Sequence, residues 1–567
     1  MENTTTKRPF FEQLIHGTNF DHESLSALQK VTLRAVVMSF LFFGLVAIEG
    51  MIMRVVQTGP SNPLPEMFNH PHHYFSIMTV HPIVGIFGST YQLVFAAFMF
   101  LVPYLTKKPL YSIKLANFVW LCITIGTALA WLAGFIWQYA PLYTLYWPLP
   151  ADTDQFSLIG GFVFVIGVAL IMIGTIGFIY NIYATIFARV GVHKNKTTKE
   201  LLISGFGIDG MLNLIYKLLG KKPYSKEPAL SLPVVAIFRG TVDTFLDALV
   251  ILGAGILVLI YLIADAGGAT WNVHAVDSLL YKNFFWWGLD LVADGLVLIY
   301  VAGSWYLLAT IITGQKLFME NVARAALLLE LVVSWMVWSH HLLADQPQPE
   351  MMKLISGEMV TAFELLTQGL ALFITLVTLW KARPLKMSPE LAYLLGGLVG
   401  FGLAVPAGII QADMGLNRVL HNTQWISFAH FHIALIVGLY MTLYSALYVL
   451  WPLVTNHTKM FSKKLTWAHF WLYLIGGIGM GAFAGMAGLD GMLRRHLYVN
   501  GEFQGWMILA AIFGTMVLVA WFLFLYNIVM SVGLKGLIGI FKPANNDIAT
   551  FGIEEEEVEP APAAVKA

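Results

Sequence analysis

The chain has a single cysteine in 567 residues, Cys122, and it lies inside an apolar run. One thiol excludes structural disulfides, Cys-x-x-Cys metal sites and covalent c-type haem attachment. Charge is also scarce. Only 12% of residues are charged, and 33 Lys and Arg balance 33 Asp and Glu. A net charge of zero leaves no field of one sign, so nucleic acid is not an expected partner. So little charge cannot cover the surface of a soluble protein of this length. No stretch reads as a soluble domain, and no internal repeat is clear. The first residues are polar and charged, so no cleavable signal peptide is expected.

Apolar length is what the sequence has instead. It is 58% hydrophobic with a mean hydropathy of +0.71. Apolar runs of about 20 residues, the length of a membrane-crossing helix, recur throughout. They predict an all-α polytopic membrane protein with twelve spans, at 33–57, 74–104, 114–140, 156–190, 234–266, 284–314, 320–343, 353–381, 390–411, 424–452, 466–492 and 504–534. Residues 1–32 read as an N-terminal segment, 33–540 as one membrane domain, and 541–567 as a disordered acidic tail holding Glu554–Glu557. Only the connection 191–233 is long. Lys107, Lys108, Lys114, Lys316, Arg324, Lys381, Arg383, Lys386, Lys459, Lys463 and Lys464 all fall in loops on one side, with both termini. That side is expected to be cytoplasmic. Arg494-Arg495 breaks the pattern on the other side, and such a pair needs an anionic partner.

Several of the 16 histidines lie inside or at the ends of apolar runs, where polar groups are costly and tend to mark function. Span ten contains Phe428-Ala429-His430-Phe431-His432. Two residues on an α-helix turn through roughly 200°, so the two imidazoles point to opposite flanks. One helix can then serve two cofactors; hydrogen-bonded core histidines are the plain alternative. Span seven ends in Ser339-His340-His341, adjacent rings about 100° apart, either leaning toward one metal or facing water at the interface. His81, near the outer end of span two, is a ligand or a buried histidine on a backbone carbonyl. His70, His72 and His73 precede it and read as surface groups. In span six, Asp290 and Asp294 are i and i+4 and share a face. Two carboxylates this close in a bilayer need a metal, a proton or water, unless they mark the solvated end of the span. Glu364 is an isolated acid in span eight, with a polar interhelical contact as its plain reading. Asp243, Asp247 and Glu330 are intramembrane acids without an evident role.

The order of one histidine in span two, a ligand in span six, His-His in span seven and His-x-His in span ten resembles the catalytic subunit I of the haem–copper oxidase superfamily. His421-Asn422-Thr423 before the His-x-His, and Gly488-Leu489-Asp490-Gly491-Met492-Leu493-Arg494-Arg495, are similar to family segments, with Leu493 where proline is usual. His340-His341-Leu342-Leu343-Ala344-Asp345 resembles the B-type branch. The resemblance covers roughly residues 30–540. It implies two haems of b-type or related kind. His81 and His432 would clamp the low-spin haem and His430 would bind the high-spin haem. Arg494 and Arg495, with His421 close by, would face haem propionates. His340 and His341 would hold the second metal.

One departure matters. The superfamily's A- and B-type oxygen reductases carry His-x-x-x-Tyr in span six; here Asp290 and Asp294 stand there. Asp290-Leu291-Val292-Ala293-Asp294-Gly295 is similar to the His-Leu-Trp-Val-Glu-Gly of nitric oxide reductases, and Ala362-Phe363-Glu364 to their span-eight glutamate. The resemblance therefore implies a divergent reductase of NO. Non-haem iron would be held by His340, His341 and Asp290, because carboxylate oxygen disfavours Cu(I), with copper still possible. Asp294 and Glu364 would be an extra ligand or proton donors. Expected partners are membrane lipid, a small electron-accepting subunit, and quinol or cytochrome c as donor. The expected location is a prokaryotic plasma membrane. The alternatives are an atypical terminal oxidase reducing O2 and a non-catalytic haem or ion-transport protein.

Overall fold

Backbone N–H and C=O groups at membrane depth have no water to bond, so an apolar chain of this length satisfies them within helices. The computed structural model describes residues 9–269, 272–338, 340–343 and 348–544, with His340 described by its backbone alone. Among the described residues eleven helices are long and apolar enough to cross a membrane. They are span one Ala27–Val56, two Pro71–Thr106, three Ile113–Trp137, four Leu158–Phe187, five Leu232–Ala266, six Ser278–Thr313, eight Glu350–Lys381, nine Pro389–Ala412, ten Trp425–Val454, eleven Lys463–Leu489 and twelve Gln504–Gly539. The shorter Glu320–Ser334 is span seven. Together they form the expected all-helical arrangement of twelve. The tail from residue 545 onward lies outside the described residues.

Two boundaries differ from expectation for local reasons. Span one starts at Ala27 rather than 33 because Ser26 and Gln29 form a reciprocal cap. The charges that blur its start bond the far end of the chain: Lys30 Nζ donates to the Pro543 carbonyl (2.9 Å) and Arg34 Nε to that of Ile540 (2.7 Å). Span seven stops at Ser334 instead of reaching 343. At this end the Ser334 hydroxyl bonds back to the Glu330 carbonyl (2.8 Å). The chain then turns, and His340–Leu342 is a short 3-10 segment. His340 and His341 therefore do not extend the α-helix of span seven. The long connection folds into two helices, Thr198–Gly205 and Ile208–Leu218, bent by 77°.

Four spans widen into π-helical turns, at Ile83–Tyr91, Asp294–Ile299, Leu354–Met359 and Trp425–Leu439. Such turns are rare and gather at functional sites. Here one follows His81-Pro82, one begins at Asp294, one precedes Glu364, and one carries both His430 and His432.

Span four illustrates how an end is closed on the basic side. Lys108 is buried, and its ammonium donates to the carbonyls of Thr185 (3.2 Å), Ile186 (2.8 Å) and Ala188 (2.6 Å). These are unpaired acceptors at the negative end of the helix dipole. His193 Nδ1 is 2.7 Å from the same nitrogen. Burial, with a smaller contribution from Arg189, brings the Lys108 ammonium down to about 8. Burial also lowers His193, whose Nδ1 lies 3.0 Å from the Ile186 carbonyl as well. Lys108→Met strands these carbonyls and is expected to cost about 2–4 kcal/mol, read as a Tm several degrees lower in detergent; an unchanged Tm would show that water replaces the ammonium.

Candidate functional site

The site is built from span ten outward. His430 Nδ1 is 2.9 Å from the Ala404 carbonyl of span nine, and His432 Nδ1 is 2.5 Å from the Ser427 carbonyl one turn back. Fixing one ring nitrogen on a carbonyl sets the tautomer and aims Nε2 away, the usual preparation of a metal-ligating histidine. The two rings leave the helix on opposite sides, as expected, although the turn is the wider π form. Gly408 is what admits the first of them: a Cβ there would stand 2.5 Å from His430 Cε1.

On one flank His432 faces His81. Their ring centroids are 6.4 Å apart and their planes differ by 19°. Two metal–imidazole bonds of about 2 Å put facing nitrogens about 4 Å apart and the ring centres a little over 6 Å apart. The pair therefore fits an iron between them. All three histidines, His81, His430 and His432, are only half-buried, although they lie within apolar spans.

On the other flank His430 lines a cavity of about 140 Å³ together with Asp290, Asp294, His341, Glu364 and His421. His341 Nε2 is 2.8 Å from Asp290 Oδ1. Two donors bound to one cation at about 2.0–2.2 Å lie about 3 Å apart, so this pair is spaced for a shared ion as well as for a hydrogen bond. Asp294 is 5% exposed, and its Oδ2 is buried without a hydrogen-bond partner. It lies in the electrostatic reach of Glu364, Glu330, Asp290 and Asp243. Carboxylates gathered at this depth need a cation or protons. Among the described residues no three His, Cys, Asp or Glu side chains gather closely enough to hold a metal ion; His341 and Asp290 supply one nitrogen and one oxygen donor, a set that suits a hard or borderline ion. The His340 side chain lies outside the described residues.

Above the cavity, the segment after span eleven pairs with the segment before span ten. Gln424 N–H donates to the Met492 carbonyl (2.8 Å) and Arg494 N–H to that of Asn422 (2.9 Å). Leu493, where the family has proline, uses its N–H on the Tyr498 hydroxyl (3.1 Å). A Cβ on Gly488 would meet Trp425 N at 2.1 Å, so only glycine allows this approach. The pairing sets Arg494 Nη2 2.8 Å from His421 Nε2, and the His421 ring 6.0 Å from that of His341. Arg495 is in a left-handed turn (φ 61°), over the rings of Tyr143 and Tyr146. Its Nε and Nη2 are buried without partners. Burial would raise the Tyr143 phenol, but Arg495 and Arg494 outweigh it and leave it below its ordinary value. A positive field with spare donors fits an anionic group such as a propionate.

The acids that the sequence left without a role sit toward the basic side. Asp243 accepts from Trp335 Nε1 (3.1 Å), Asp247 from the Tyr91 hydroxyl (3.1 Å), and Glu330 from Thr367. His70, His72 and His73 lie outside both sites. Sequence reading missed Glu49, buried in span one beside His81, and Arg54, whose guanidinium lies 4.7 Å from the Phe428 ring that stacks on His432. A lone charge in an apolar run was the available signal for both.

The family model for cytochrome c and quinol oxidase polypeptide I matches residues 30–516. The chain belongs to this family. It is 28% identical over 284 residues to cytochrome c oxidase subunit 1 of Thermus thermophilus, covering 45% of this chain and 49% of that one. It is 24% identical over 276 residues to cytochrome c oxidase polypeptide 1 of Halobacterium salinarum, covering 48% and 45%. The chain thus spans about half the length of these two relatives. Ubiquinol oxidase subunit 1 of Acetobacter aceti matches over 94% of this chain and 73% of its own, at 23% identity. A heme-copper terminal oxidase dimer solved by cryo-electron microscopy shares the fold, with a TM-score of 0.71, 19% identity, and 92% and 85% of the two chains covered. Members of this haem–copper oxidase family are membrane oxidoreductases.

Gly408 makes room for the His430 ring. If His430 and the His81–His432 pair each hold a haem, Gly408→Val is expected to halve the haem extracted per chain; full haem content would show that the ring has room to move.

Proposed function

We propose that this chain is the catalytic subunit of a membrane nitric oxide reductase, which joins two NO with two electrons and two protons to give nitrous oxide and water. One observation supports the reading above the others: the cavity beyond His430 is completed by carboxylates. Asp290 touches His341, Asp294 and Glu364 line the same wall, and no tyrosine is among the described lining residues. Cleaving O2 takes four electrons and, in most of the superfamily, a phenol beside the metal. Coupling two NO takes two electrons, which a haem iron and a second metal supply between them when bound.

The chain's residues divide the work. His81 and His432 hold a low-spin haem, His430 a high-spin haem, and Arg494, Arg495 and His421 the side that bears propionates. His341 and Asp290, with His340, hold the second metal; their mixed nitrogen and oxygen set favours iron over Cu(I). Asp294 and Glu364 carry protons to the product oxygen, a task suited to carboxyl groups shielded from bulk water. Electrons come from quinol or cytochrome c, through a small partner subunit if copper-A is used, because one cysteine cannot build that centre. The chain works in a prokaryotic plasma membrane with its basic loops and both termini inside.

The printed names of the relatives are oxidases, which supports a second reading, an atypical terminal oxidase. NO and O2 consumption by the purified complex separates the two. NO-dependent nitrous oxide formation well above any O2 uptake is expected; O2 turnover without nitrous oxide favours the oxidase. Asp290→Asn is expected to lower NO turnover at least 100-fold with both haems retained, because an amide cannot replace the anionic ligand; wild-type turnover would remove Asp290 from the metal site. His341→Ala is expected to lose the non-haem metal in elemental analysis and keep the low-spin haem band, and equal loss of both haem bands would contradict the assignment.

A further inference from the structure

Span one carries a carboxylate that the chemistry above does not use. Glu49 is 1% exposed at membrane depth. Its Oε1 accepts from Trp131 Nε1 of span three (2.8 Å). Its Oε2 has no hydrogen-bond partner and lies 3.7 Å from His81 Nδ1, whose ring otherwise meets only the backbone of Val46. A closing shift of under about 1 Å would make this a hydrogen bond. The neighbouring residue leaves space for the ring: a Cβ on Gly50 would stand 3.3 Å from His81 Cε1. A buried acid in an apolar span is costly unless something answers it. The indole answers one oxygen only.

Resting on the reading that His81 and His432 bind the low-spin haem, we propose that Glu49 is the hydrogen-bond acceptor of His81 Nδ1 and through it sets the reduction potential of that haem. The two ligands would then be backed unequally. His432 has a neutral carbonyl at Nδ1, that of Ser427. His81 has a carboxylate. An imidazole that donates to a carboxylate is the more electron-rich ligand, and electron-rich axial ligation stabilises ferric iron over ferrous iron. The other groups at His81 are the Val46 backbone, the neutral hydrogen-bond partner with which Glu49 competes, and Arg54, whose positive charge acts in the opposite sense. Glu49 is a positioning residue: it touches the ligand, not the substrate.

The purified complex is titrated potentiometrically, following the α band of the low-spin haem, with its electron paramagnetic resonance recorded in parallel. Glu49→Gln is expected to keep the haem and shift its reduction equilibrium at least tenfold toward the ferrous form, 59 mV upward for one electron, with a changed low-spin signal. Glu49→Asp restores most of the difference. Trp131→Phe, which frees Oε1 and concentrates charge on the carboxylate, shifts the potential downward, so the test stands even if Glu49→Gln does not assemble. An unchanged potential in these variants, with a normal low-spin signal, overturns the role of Glu49 and makes the Val46 carbonyl the partner. A wild-type complex without a bis-imidazole signal overturns the haem reading instead.

Discussion

An imidazole inside a bilayer has two nitrogens and no water for either, and this constraint organises the centre of the molecule. Where the neighbouring structure satisfies one nitrogen, the other is left aimed. His430 is tied to Ala404, His432 to Ser427, and His421 faces Arg494. The ties come from packed spans and, for His421, from the segment after span eleven, so the free edges point where the packing dictates.

The acidic wall is the complement of this nitrogen geometry. Asp290 and Asp294 are one turn apart on span six, and the backbone widens to a π turn where the second begins. Glu364 joins from span eight. Beyond them Asp243, Glu330 and Asp247 are bonded to Trp335, Thr367 and Tyr91. Carboxyl groups therefore extend from the cavity toward the basic loops, and at this depth each needs a proton or a cation.

The twelve spans were legible as apolar length, because a bilayer imposes length and hydrophobicity together. The opposed rings of span ten were legible from spacing alone. The end of span seven was not: its apolar run continues past Ser334 through Trp335, Met336, Val337 and Trp338, where the α-helix has already stopped. The π turns were also invisible, since they arise from packing between spans rather than from local propensity. Glu49 passed unnoticed for another reason. One acid in a long apolar helix changes average hydropathy little, and its meaning appears only when spans one, two and three are brought together.

Span ten carries its two opposed histidines on a single π-helical segment, Trp425–Leu439. Neither ring can be repositioned without dragging its sister along. Variation is therefore expensive on this helix and cheap on spans six and eight, whose acids stand on separate backbone. A lineage can in this way exchange the oxidant it consumes while inheriting its wiring unchanged.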